Sequence, residues 1–170
     1  VDTALFYRWD NELTDWTYSF DSTSARSANP VDIETLGIEL IAIKRFDSAD
    51  VVASYTYLDK SEDYRIDEVD ASFYALNYPP HRATLGVVWF ATDTVEVRID
   101  NEWRKQEINA LRNGDDSAFF SHVTLTYSPA QIEGLSLVLA VDNLWDERFE
   151  EIPGTPGRGD QYSATVTYFW

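Results

Sequence analysis

Apolar side chains recur at every second position through much of this chain, in blocks separated by polar stretches. Val95, Val97, Ile99 and Trp103 fall on one side of such a block, interrupted only by Asn101, and Glu96, Arg98, Asp100, Glu102 and Arg104 fall on the other. Leu36, Ile38, Leu40 and Ala42 oppose Thr35, Gly37 and Glu39 in the same way. Ala83, Leu85, Val87 and Trp89 oppose Arg82, Thr84 and Gly86; Val123, Leu125 and Tyr127 oppose His122, Thr124 and Thr126. Leu135, Leu137, Leu139 and Val141 form another row, and Tyr162, Ala164, Val166, Tyr168 and Trp170 the last. A period of two places successive side chains on opposite faces of a strand. The pattern predicts an all-β chain of about eight strands, near 4–9, 36–43, 51–58, 82–90, 95–104, 120–127, 135–144 and 162–170.

The connections alternate in length. Segments 44–50, 91–94 and 128–134 are short, with turn-forming Asp, Ser, Thr, Pro and Gly. Segments 10–35, 59–81, 105–119 and 145–161 are long and polar. This rhythm puts turns at one end of an antiparallel meander and loops at the other, as in an outer-membrane barrel. A Greek-key sandwich has no reason to keep it. An Arg held against lipid at the bilayer midplane costs about 2–4 kcal/mol. The row Glu96, Arg98, Asp100, Glu102 and Arg104 is therefore expected to face the lumen. Phe46, Trp89, Phe90, Tyr127, Tyr168 and Trp170 fall toward the turn end, and Trp9, Trp103 and Trp145 toward the loop end, as two interfacial girdles would. A one-sided soluble sheet shows the same alternation, so a β-sandwich binding module stays open at this point.

Composition narrows the partners. A net charge of -17 opposes nucleic-acid binding. The acidic residues gather between the apolar blocks: Asp59, Glu62, Asp63, Asp67, Glu68 and Asp70 in one segment, Asp146, Glu147, Glu150 and Glu151 in another. They read as solvated loops, with bridging of divalent cations to lipopolysaccharide or attraction of a cationic solute as the sharper alternative. No apolar run is long enough for a spanning helix, so a membrane crossing would use strands. The chain opens without a signal peptide, which is expected of a mature form or a fragment.

Catalytic, cofactor and metal chemistry finds no constellation. His81, at the start of one predicted strand, and His122, within another, are set apart and the chain has no Cys, so a zinc site is not expected. His81 reads as a rim residue. Gly154, Gly157 and Gly159 lie in a strand-to-strand connection, where they serve turns beside Pro153 and Pro156 and not a phosphate loop. Glu96, Asp100 and Glu102 alternate with Arg98 and Arg104, which makes a neutralised ladder and not an acid–base pair.

Three stretches carry a family resemblance. Asp142-Asn143-Leu144-Trp145-Asp146, then Pro153-Gly154-Thr155-Pro156-Gly157-Arg158, then a final strand ending on an aromatic, resembles the C-terminus of TonB-dependent outer-membrane receptors. Asn77-Tyr78-Pro79-Pro80-His81-Arg82-Ala83-Thr84-Leu85-Gly86 resembles another stretch of that family. So does Thr35-Leu36-Gly37-Ile38-Glu39-Leu40 followed by Ala53-Ser54-Tyr55-Thr56-Tyr57. The resemblance implies that residues 1–170 are the C-terminal portion of a 22-stranded type of barrel, in the outer membrane of a Gram-negative bacterium. It implies an N-terminal plug domain against the ionic row, coupling to the TonB complex, contact with outer-membrane lipid and lipopolysaccharide, and uptake of a scarce small-molecule or metal-chelate substrate. A ferric siderophore, cobalamin or an oligosaccharide would fit. It also implies that Tyr168 and Trp170 are read by the barrel-assembly machinery, although Thr165 stands where a Gly is frequent and Trp170 replaces the commoner Phe. Trp16, Tyr18, Tyr64, Tyr74 and Arg112 are loop residues whose chemistry suits ligand contact. A self-contained eight-stranded outer-membrane protein serving structure or adhesion is the alternative from another class.

Overall fold

The computed structural model describes residues 1–21, 23, 26–65 and 69–170. Among them there is no helix, and one sheet takes in every strand. The strands are β1 (Asp2–Tyr18), β2 (Ser27–Arg45), β3 (Ala49–Asp63), β4 (Ala71–Ser72), β5 (His81–Thr92), β6 (Val95–Lys105), β7 (Ser117–Tyr127), β8 (Leu135–Asp142) and β9 (Gln161–Tyr168). Their order across the sheet is β4-β1-β2-β3-β5-β6-β7-β8-β9, every neighbouring pair antiparallel. The eight long strands are those expected from the alternation. The two-residue β4 is an addition: it reaches back over the loop end to pair with the top of β1, Thr17 opposite Ser72 and Tyr18 opposite Ala71.

Register assigns the faces. Directly paired residues share a face, so the rows can be followed from strand to strand. Leu5, Ile38 and Tyr57 share one face, as do Val87, Ile99, Val123, Val141 and Tyr162. On the opposite face run Gly86, Asp100, His122, Asp142 and Gln161. The apolar face has nothing packed over most of it: Leu5 is 72% exposed, Leu139 56% and Val166 70%. For a soluble sheet that exposure would be anomalous.

The first three strands are longer than the alternation indicated, at 17, 19 and 15 residues. Most of segment 10–35, expected to be a loop, is strand. A β-bulge hides it. Between Asp10 and Leu13 the register slips, Glu12 takes a positive φ of 55°, and its N–H donates to Asp32 Oδ1 at 2.7 Å. Before the bulge even-numbered residues of β1 share the ionic face with Ile33 and Thr35; after it Leu13, Asp15 and Thr17 do. The phase shift erases the period that sequence reading relies on. At about 3.3 Å per residue β2 extends roughly 60 Å, more than twice the ~25 Å apolar band of an outer-membrane barrel. Its upper half stands clear of such a band.

Over the ionic face of that upper half lies the small core. Val31 and Ile33 are 1% and 3% exposed and pack with Tyr64, Val69, Ala75 and Leu76 of the β3–β5 connection. Lower in β1 and β2, Gly37 leaves room for the Phe6 ring of the neighbouring strand: a Cβ at Gly37 would fall 2.1 Å from Phe6 Cζ. The last strand stops at Tyr168, not at 170, because β8 begins opposite it at Leu135. The Phe169 N–H still reaches Gly134 O at 3.0 Å, and Trp170 is fully exposed.

Candidate functional site

Glu96, Arg98, Asp100, Glu102 and Arg104 occupy one face of β6 by register. Four of them are paired. Glu102 takes Arg82 through Oε2 at 2.5 Å and Arg104 Nε through Oε1 at 2.6 Å, and Arg98 Nε meets Asp100 Oδ2 at 2.6 Å. Arg104 also lies over the Phe120 ring, 5.5 Å from its centroid, and holds Glu151 at 2.8 Å. This is a ladder of neutralised charge. His122 adds Nδ1 at 3.3 Å from Asp142 Oδ1 on the same face. His81 faces the apolar side, where Nδ1 lies 2.7 Å from the Tyr55 hydroxyl.

Glu151 belongs to the strap, the long connection 143–160 that folds over the ionic face. Asn143 ends β8 by adopting a positive φ of 51°. Its Nδ2 donates to Glu147 O at 2.9 Å and Arg158 O at 2.8 Å, while Oδ1 accepts from Glu147 N at 3.0 Å. One side chain thus fastens both ends of the strap. Farther along, Glu150 accepts the Asn113 and Gly154 N–H groups, which hold its carboxyl below the usual range. Asp146 is lowered by Arg148 and by the Asp160 N–H. Between strap and strands lies a cleft of about 540 Å³, with Glu102, Arg104, Phe120 and His122 on one wall and Phe149, Glu151, Ile152 and Arg158 on the other. Trp145 leaves the strap for the apolar face, where Nε1 donates to Ser121 Oγ at 2.7 Å and Ser121 donates to Asn101 Oδ1 at 2.7 Å. The one polar break in the apolar row of β6 is satisfied in this way.

The five loop candidates separate into two groups. Tyr64 and Arg112 are 8% exposed and committed to the loop layer. Tyr64 donates to Asp15 Oδ2 at 2.7 Å; burial, followed by that carboxylate, raises its hydroxyl well above the phenol range. Arg112 donates to Glu107 O at 2.8 Å and Glu150 O at 3.1 Å, and bonds Asn77 and Asp116, so it joins three loops. Trp16 and Tyr74 are about half exposed, and Tyr18 stacks edge-on against Phe20 at 5.4 Å. Trp16 and Tyr18 are strand residues of β1, not loop residues.

Sequence reading missed Asp15. It is 0% exposed, and its carboxylate accepts Ser72 Oγ at 2.6 Å and Ala75 N at 3.1 Å besides Tyr64. Nothing in the surrounding Thr14-Asp15-Trp16 run distinguishes it from a solvated loop acid. Of the acidic loop residues, Asp67 and Glu68 lie outside the described residues. Among those described, no group of three or more His, Cys, Asp or Glu side chains could hold a metal ion.

An open antiparallel meander with one bare apolar face, an ion-paired opposite face and loops gathered at one end has the fold of barrel wall from TonB-dependent receptors. The chain aligns with FpvAI as seen in its complex with pyocin S2, at a TM-score of 0.70 and 14% identity, over 98% of this chain. It aligns equally far with the ferric-catecholate import receptor Fiu from Escherichia coli K12 in its closed form, at a TM-score of 0.66 and 19% identity. It spans 24% of the length of each. No protein-family model matches the chain, and no curated protein does.

Proposed function

We propose that residues 1–170 are the C-terminal part of the barrel of an outer-membrane active transporter. The transporter binds a scarce solute at its outer mouth and imports it with energy coupled through TonB. The observation that carries the reading is the bare apolar face, bordered by Trp89, Tyr127 and Tyr168 toward the turns and by Trp9, Trp103 and Trp145 toward the loops. Hydrocarbon and lipopolysaccharide would cover that face in the outer membrane of a Gram-negative cell. The row from Glu96 to Arg104 faces the lumen and the protein's own plug domain. Trp16, Tyr18 and Tyr74 offer aromatic surface for a solute, while Tyr64 and Arg112 shape the loops that present it. Tyr168 and Trp170 serve recognition by the barrel-assembly machinery. Likeness to a ferric-catecholate import receptor favours a ferric siderophore over cobalamin or an oligosaccharide.

A self-contained eight-stranded barrel would pair β1 with β9. Among the described residues those strands lie at opposite sides of the sheet, which favours the longer barrel. The test is made in cells carrying or lacking the full-length protein. The reading expects recovery in the outer-membrane fraction and loss of growth on one ferric siderophore when the protein is deleted. Recovery as a detergent-free soluble protein would overturn it.

A further inference from the structure

We infer that Arg104 and Glu151 form an exchangeable latch: an anionic group entering the cleft takes the place of Glu151 on Arg104 and frees the strap. The inference rests on the transporter reading and assigns that solute a chemistry, an anionic group joined to an apolar body.

Arg104 holds two carboxylates unequally. Glu102 is on the same strand, its side chain is 16% exposed, and Arg82 grips its other oxygen. Glu151 is on the strap and its side chain is 70% exposed. A carboxylate that wet loses little by returning to water. Arg104 is only 15% exposed, so its guanidinium keeps a demand for a second acceptor whichever anion supplies it. Phe120, Phe149 and Ile152 line the same cleft and reward an apolar body beside the charge. At about 540 Å³ the space suits a ring-bearing solute. A bare anion has no such reward and must cross the acidic loops of a chain carrying -17.

The strap can move without unfolding. Arg112 fixes Glu150 O, Asn77 Nδ2 fixes Glu151 O at 2.6 Å, and Asn143 fixes Arg158 O. Glu150 also keeps the Gly154 N–H, so losing the Glu151 carboxylate contact frees only residues 155–157, while the strap's ends stay in place.

The experiment uses the full-length protein in outer-membrane vesicles, spin-labelled at Thr155→Cys; this chain has no other cysteine. Benzoate is the probe and neutral benzamide its control. Benzoate should mobilise the label and benzamide should not. Glu151→Gln should mobilise it without any probe and tighten benzoate by up to about fivefold, the ratio to which the strongest exposed ion pairs convert. Arg104→Gln should abolish the benzoate response and Arg104→Lys restore part of it. Equal responses to benzoate and benzamide, or an immobile label in Glu151→Gln, would overturn the latch. Heat-shifted gel mobility of each variant reports barrel folding independently. A folded, membrane-embedded Glu151→Gln protein with a static strap removes the latch and leaves the transporter reading; a protein found outside the membrane removes that reading itself.

Discussion

Replacing Asp15 by Ala should open the loop layer while leaving the barrel wall intact. The wild-type carboxylate is fully buried and accepts the Tyr64 and Ser72 hydroxyls at 2.7 and 2.6 Å, and the Ala75 and Tyr74 N–H groups at 3.1 and 3.3 Å. Truncation strands several buried donors at once. Each stranded group costs about 1–3 kcal/mol, and relaxation recovers part of the sum, so a net loss of about 3–5 kcal/mol is expected. Because about 1.4 kcal/mol is a factor of ten, amide exchange in this layer should accelerate between about a hundredfold and a few thousandfold. Hydrogen exchange read by mass spectrometry on the full-length protein reports it through the amides of Phe73, Ala75 and Leu76. The first two donate to Trp16 O and Asp15, and the third to Ser72 Oγ. Less than tenfold acceleration there, or an equal rise across β7, β8 and β9, would mean that Asp15 does not organise the layer.

Gly37→Ala should destabilise the barrel by about 1–3 kcal/mol through overpacking against Phe6, with much of the loss recovered in the double variant carrying Phe6→Ala; thermal unfolding in detergent measures both, and additive losses would refute the contact. The pH response should differ between the two loop assemblies. Glu150 has a depressed carboxyl in the folded protein, so its contribution is present above the unfolded value of about 4.3 and disappears as pH falls through the folded one. Tyr64 is raised, so its contribution is present below about pH 10 and disappears as pH rises further. Protease access to the strap should therefore increase in acid, and access to the β3–β5 connection in alkali. The reverse order would contradict the assignment.

Most of the wall could be read from the sequence because apolar and polar positions alternate with a fixed period. The eight long strands, the split of β6 into Val97, Ile99 and Trp103 against Glu96 to Arg104, and the short turns all follow from that period. Two things broke it. The bulge at Glu12 inverted the phase of β1, and above it the outer side mixes Trp16, Ala28 and Pro30 with Thr14 and Asp32, so Leu13 and Val31 carried too little pattern to declare a strand. The loop layer was illegible for a different reason. Asp15, Asn77 and Arg112 act through contacts with residues far along the chain, and a buried acid or Arg has the same letters as a solvated one. Asn143 lay within a stretch singled out by resemblance, yet its role as a fastener is visible only once Glu147 and Arg158 are seen beside it.

Arginine placed in turn at two adjacent positions of β8 tests the central claim, that hydrocarbon covers one face of this sheet and water the other. Leu139 pairs with Leu125 and Ala164 on the apolar face and is 56% exposed; Ala140 pairs with Thr124 and Ser163 on the ionic face. Unfolding free energies of the full-length protein in lipid vesicles should fall by about 2–4 kcal/mol for Leu139→Arg and by far less for Ala140→Arg. A larger loss at Ala140, or no difference between the two, would contradict the account.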